Sequence, residues 1–277
     1  MVKIYQVDAF TNRLFGGNPA AVVPLESWLD DKTLQAVAME NNLAETAYIV
    51  PVDGGYELRW FTPASEVALC GHATLATAHV LVHHLGETSE QLNFLTRQSG
   101  TLTVTRLAND QFAMSFPSIA VRESNDRELV SAALGATPKS LFAGSYSADE
   151  FDYVAVFGSS QQLGKLEISN AAFKALRSRG VIVTALSETD DCDFVSRYFA
   201  PNFGIDEDPV TGSAHCLLAP YWAGVLDKSK LQARQISPRG GELGCEIQGD
   251  RTVLTGSCVD YMPVSYTHLT LPTICSV

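Results

Sequence analysis

Four stretches of the chain carry residues whose types and spacing could move a proton. NNLAETAYIV sets Glu45 directly before an apolar strand of Ala47, Tyr48, Ile49 and Val50. Flanked by Leu43, Ala44 and Ala47, its carboxylate would be desolvated and its pKa raised, which suits a group acting as base and then acid near neutral pH. The alternative is a solvated glutamate at a strand edge, so the residues alone leave Glu45 a candidate. Cys70, Gly71 and His72 open the apolar run HATLATAHVLVHHL, and Thr211, Gly212 and Ser213 open SAHCLLAPYWAGVL, with Asp208 in the loop before it. A two-thiol racemase needs a base on each face of the reacting carbon, and only Cys70 is a thiol here. One carboxylate that removes a proton and returns it elsewhere suits an isomerase better than a racemase.

These residues sit in a degenerate repeat. Arg59-Trp60-Phe61-Thr62-Pro63 recurs as Arg197-Tyr198-Phe199-Ala200-Pro201, 138 residues on; the shift then becomes 141, pairing Glu66 with Glu207, Gly71 with Gly212, and Gly100-x-Leu102 with Gly241-x-Leu243. Under that shift Cys70 falls on Thr211, His72 on Ser213 and Glu45 on Leu186, so the chemistry is not symmetric. The chain is read as α+β: two similar halves, 1–118 and 119–263, each a curved sheet around one apolar helix. Surface helices are expected at Leu25 to Asn41, capped by Ser27 and stopped by Asn41-Asn42, and at Ser169 to Ser178. Gly71 and Gly212 start the apolar helices, where unpaired N–H groups and the positive dipole end can bind an anion. If the halves pack about a pseudo-two-fold axis, the two starts together make a site for a small carboxylate. The alternative is that both glycines only begin buried helices.

His79 and His83 stand at the i, i+4 spacing of a helical metal pair, but no Glu follows His79 as in HExxH and no third ligand is evident. The histidine cluster is therefore read as structural, with no metal expected. The six cysteines form no CxxC pair, which fits a reduced setting.

The 277 residues, 46% hydrophobic and 18% charged, exclude a disordered chain. A net charge of −12 argues against nucleic acid. No apolar run reaches the ~18 residues of a membrane helix, and MVKIYQVDAF reads as a strand, not a leader. A soluble cytoplasmic protein is expected.

The segments VDAFTNRLFGGNPAAVV, NNLAETAYI, RWFTPASEVALCGHATLATAHVL and RYFAPNFGIDEDPVTGSAHC, taken together and in order, resemble the PhzF-like (phenazine biosynthesis-like) family, which shares the diaminopimelate epimerase fold. The resemblance implies two pseudo-symmetric halves, each a β-barrel-like sheet around a central helix, with the active site between them and no cofactor. It assigns Glu45 as general acid/base. His72, Asp208 and Ser213 would hold or polarise the substrate, and the amides near Gly71 and Gly212 would bind its carboxylate. Asn18 of GGNPAAV is shared with the family. Cys70 aligns with a catalytic thiol of the epimerases and, lacking its partner, is expected to be vestigial or structural. A homodimer is also implied. The resemblance favours an isomerase acting on a small carboxylate. An epimerase or racemase of such a substrate, or a non-catalytic small-ligand-binding protein, are the alternatives.

The family closes with a strand that returns to the first half. Residues 264–277, VSYTHLTLPTICSV, do not resemble it; they read as a cloning or sequencing scar, with the closing strand expected to be lost or improvised.

Overall fold

The computed structural model describes residues 2–266. The described chain forms two units, one holding residues up to Met114 together with those from Gly256 onward, the other Ser115–Thr255.

In the first unit, β1 (Val2–Ala9), β2 (Asn18–Pro24), α1 (Asp31–Asn41), β3 (Glu45–Val52), β4 (Gly55–Phe61), β5 (Glu66–Val67), α2 (Gly71–His84), β6 (Gln91–Leu95), β7 (Thr101–Arg106) and β8 (Gln111–Pro117) follow one another. β1–β2 is antiparallel, β2–β3 parallel, β3–β4 antiparallel, β4–β6 parallel, and β6–β7–β8 antiparallel. Alternation along β2 and β3 divides their side chains between two covers. Ala21, Val23, Tyr48 and Val50 pack with Leu34, Val37 and Ala38 of α1. The other face, carrying Ala20, Val22, Glu45 and Ala47 as register partners, turns toward α2, which packs on β1, β2, β3 and β7. A sheet covered on both faces explains the near-continuous apolar runs. α2 itself is buried without a break from His72 to Leu81, as expected of a helix wrapped by sheet.

The second unit holds β9 (Arg122–Glu123), α3 (Arg127–Leu134), β10 (Ser140–Ser145), β11 (Phe151–Val156), α4 (Ser160–Gly164), α5 (Asn170–Phe173), β12 (Val181–Leu186), β13 (Phe194–Ala200), β14 (Ile205–Asp208), α6 (Gly212–Leu226), β15 (Lys230–Gln235) and β16 (Gly241–Gln248). Its pairings repeat the first unit's sequence: β10–β11 antiparallel, β11–β12 parallel, β12–β13 antiparallel, β13–β15 parallel, β15–β16 antiparallel. The repeat reaches single side chains. Arg59 grips Glu66 with two hydrogen bonds of 2.7 and 2.8 Å and lies over Phe61. Arg197 grips Glu207 at the same two distances and lies over Phe199. Both halves are thus α+β sheets of one topology built on one apolar helix. In α6, Pro220 cannot donate to the Cys216 carbonyl four residues back, and that carbonyl instead accepts Ile119 N–H at 3.0 Å.

Several sequence expectations change. α1 starts at Asp31, six residues after Leu25, because Leu25 N–H still bonds to Ile49 O as strand. The cap is Asp30, not Ser27: its carboxylate accepts from Thr33 N and Oγ1. Asn42 ends α1 at φ 48°, as its sequence position suggested. Ser169 does cap a helix, but α5 has only four residues. α3 and α4 were not foreseen.

The largest change concerns the closing strand. β17 (Arg251–Tyr266) pairs with β16 over residues 251–255 and then with β1, from Ala9↔Cys258 to Val2↔Tyr266. The closing strand exists, and Val264, Ser265 and Tyr266 belong to it: only backbone hydrogen bonds to β1 are required of them. The second half therefore ends at Thr255 and not at 263. The remainder of the suspect tail, 267–277, lies outside the described residues.

Candidate active site

Glu45 opens β3, and His72 is the second residue of α2. Because Glu45 faces α2 and both elements begin at the same end of the first unit, the two side chains meet: His72 Nε2 lies 3.0 Å from Glu45 Oε2, with the side chains 8% and 15% exposed. Behind the ring, Cys70 Sγ is 3.5 Å from His72 Nδ1. Burial opposes charge on His72, but Cys70 and Glu45, one on each side of the ring, together outweigh it and hold the imidazole pKa well above its ordinary value. Burial, with Glu45 nearby, pushes the Cys70 thiol up to about 11. The two ring nitrogens of His72 thus face Glu45 on one side and Cys70 on the other.

Asn18 begins β2 and is fully buried. It stands two residues before Ala20, the register partner of Glu45, so it shares the Glu45 face. Gly71 is the first residue of α2. The Cys70 side chain makes no cap hydrogen bond to this helix.

In the second unit, Asp208 ends β14 and Gly212 and Ser213 begin α6. Thr211, at the cap position, turns its hydroxyl to the Asp208 carboxylate and leaves its own helix uncapped. Gln235, missed in the sequence, clamps this corner: it accepts Thr211 N–H at 2.9 Å and donates to Asp208 O at 2.7 Å. Its signal was a glutamine in phase with Leu231 and Ala233, the buried positions of β15. A Cβ on Gly212 would meet Leu254 Cδ1 at 3.6 Å, an ordinary contact. Packing within this unit therefore does not require glycine there. Gly212→Ala is expected to leave the urea midpoint unchanged and to raise KM; an unchanged KM would remove Gly212 from the binding groups.

His215, one turn into α6, is fully buried with Nδ1 2.8 Å from Thr211 O, and burial lowers its pKa to about 4. The folded state keeps it neutral while the unfolded chain protonates near 6.5. Stability from this group is therefore complete above about pH 6.5 and is lost as pH falls toward 4, by roughly 3 kcal/mol. Urea titrations across that window test this, and His215→Asn should flatten the slope.

The registers also correct the second-half counterpart of Glu45. Tyr48 pairs with Arg59 and Val183 with Arg197. Counting back three residues from each makes Gly180, not Leu186, the equivalent of Glu45; the constant shift of 141 fails because the intervening loops differ in length. A Cβ at Gly180 would lie 2.6 Å from Tyr198 Cζ. The ring fills the place a glutamate side chain would need. The carboxylate here comes from the neighbouring strand: Asp152, fully buried, accepts Tyr146 OH at 2.8 Å, Gly180 N–H at 2.9 Å and Tyr198 OH at 3.2 Å. Tyr146 OH also lies 3.3 Å from Ser213 O.

The chain is a duplicated α+β fold with a carboxylate–imidazole pair at the start of its first apolar helix, and its relatives and structural neighbours include proteins named as isomerases and epimerases. The comparisons are specific. The phenazine biosynthesis-like family model matches residues 7–262, and the chain belongs to that family. An uncharacterized isomerase of Pseudomonas aeruginosa is 49% identical over 94% of this chain and 97% of its own length. An uncharacterized isomerase of Halalkalibacterium halodurans is 45% identical over 92% and 95%. A crystal structure of a phenazine biosynthesis protein, PhzF family, from Enterococcus faecalis superposes with a TM-score of 0.87 at 41% identity, covering 95% of this chain and 97% of that one. The protein is an isomerase of this family. Among the described residues no helix is long and apolar enough to cross a membrane.

Proposed function

We propose that the protein is a cofactor-independent isomerase that moves a proton on a small carboxylate substrate, with Glu45 as the general acid/base. The contact of 3.0 Å between Glu45 and His72 carries this reading. Glu45 removes a proton from one carbon and returns it to another; His72 orients the carboxylate and compensates its charge, so that protonation and release cost little reorganisation. Amides at a helix start hold the substrate carboxylate without a lysine, which reconciles an anionic substrate with a protein of net charge −12. Gly71–His72 offers such a start in the first unit, and Gly212–Ser213 in the second. Asn18, Asp208 and Ser213 are assigned to substrate binding or polarisation by their match to the family motifs. Cytoplasmic location and a homodimeric state belong to the same reading.

An epimerase is less well supported. Gly180 stands where a mirror-image carboxylate would be, Thr211 where a second thiol would be, and the three donors on Asp152 occupy that carboxylate. The test is proton NMR of small unsaturated and α-functional carboxylates in D2O with the enzyme. Deuterium appearing at a new carbon with a shifted double bond supports the isomerase; exchange confined to a stereocentre with inversion refutes it.

A further inference from the structure

We propose that His79, His84 and Asp260 form a binding site for a zinc-type divalent cation that ties the closing strand to the central helix of the first unit. The sequence offered His79 and His83 without a third ligand. The fold pairs His79 with His84 instead, and brings in Asp260 from β17, 176 residues after His84. Asp260 Oδ1 lies 3.3 Å from His79 Nε2, and Oδ2 lies 2.9 Å from His84 Nε2. One ligand atom from each of the three falls within 4.8 Å of the others. Metal bonds of about 2.0–2.1 Å arranged tetrahedrally place ligand atoms about 3.4 Å apart, so the separations need only small side-chain adjustments.

The second observation is His79 itself. Its side chain is only 7% exposed, and apart from the 3.3 Å approach of Asp260 to Nε2 its ring nitrogens find no hydrogen-bond partner. A buried imidazole so poorly satisfied is costly, and a cation between it and Asp260 would engage Nε2 directly. His84 and Asp260 are partly exposed, which gives an ion an entry path from solvent. The rings are held in place: His83 packs on His79 with centroids 4.3 Å apart, and Tyr5 on His84 at 4.7 Å. Two imidazoles and a carboxylate favour zinc or a similar late first-row ion over magnesium or calcium. Three protein ligands leave a fourth position to water.

His79 and His84 follow His72 by seven and twelve residues, about 10 to 18 Å along the helix at 1.5 Å per residue. The ion therefore acts on the fold and not on the reacting carbon. It would cross-link α2 to β17, whose Asp260 is also the register partner of Val7, and its binding energy becomes folding energy.

Titration of zinc into metal-free protein by calorimetry should show one equivalent bound and a raised Tm. Cobalt in place of zinc should give d–d bands without a thiolate charge-transfer band. His84→Ala and the isosteric Asp260→Asn, both at partly exposed positions, should each lose at least about tenfold in affinity while melting like wild type without metal. Cys70→Ser should bind as wild type; this control matters because Glu45, Cys70 and His72 form a second close group of ligand atoms. No zinc uptake by the wild-type protein overturns the site. So does binding that survives His84→Ala and Asp260→Asn, or that disappears in Cys70→Ser.

Discussion

Glu45→Gln is expected to lower kcat/KM by about 10²–10⁴-fold, the usual contribution of a positioned acid/base. Glutamine keeps the size of the side chain and can still face His72, but it has no site for the transferred proton. The loss should fall on kcat, with KM little changed, because the substitution removes an interaction used only in proton transfer. A second readout separates chemistry from folding. Without the carboxylate 3.0 Å away, one of the two groups that favour charge on the buried His72 is gone, so its imidazole resonances should titrate at lower pH than in the parent protein. Undiminished deuterium exchange in Glu45→Gln would refute the catalytic assignment. Retained ligand binding with no exchange in either protein would favour a binding protein over an enzyme.

Asp152→Ala should cost about 3–5 kcal/mol, read as a drop in the urea midpoint at constant m. The carboxylate is fully buried and accepts from two phenols and one backbone amide. Burial raises its pKa, against the pull of Arg179 at 4.0 Å. Alanine would leave three donors without an acceptor, each costing about 1–3 kcal/mol, partly recovered by relaxation. Asp152→Asn retains an acceptor oxygen and should cost less. Tyr146→Phe removes one of the bonds to Asp152 together with the contact to the Ser213 carbonyl, so it should perturb the start of α6 as well. A loss in Asp152→Ala no larger than that of an average surface substitution would mean the cluster is not structural.

The duplication was readable because it is written in strand residues that the fold uses twice. Arg59–Glu66 and Arg197–Glu207 lie on matching strand pairs, and the same ion pair forms in each although the chain between the two residues is three residues longer in the second. Glu45 was also readable, since a carboxylate at the head of an apolar strand is conspicuous. Its partner was not. His72 reaches Glu45 only because β3 and α2 begin at the same end of one sheet, a relation between elements 27 residues apart that no local pattern encodes. Counting along the chain likewise put the counterpart of Glu45 on Leu186, whereas strand register puts it on Gly180, because loops change length while pairings do not. The cap of α1 failed for a local reason: two acceptor side chains, Ser27 and Asp30, were available, and the hydrogen bond from Leu25 to Ile49 decided between them.

By itself, then, the sequence determined the class of the protein: periodicity, the repeat and the motif strings are properties of order along the chain, and they specify the fold family and the two similar halves and single out Glu45 as a candidate. Only the tertiary structure decided what those groups touch. It set Glu45 against His72 and Cys70, put Gln235 under the start of α6, filled the mirror-image site with Tyr198 and Asp152, and carried Asp260 back to His79. Each is a contact between residues distant in sequence, set by strand register and by the packing of a helix on a sheet.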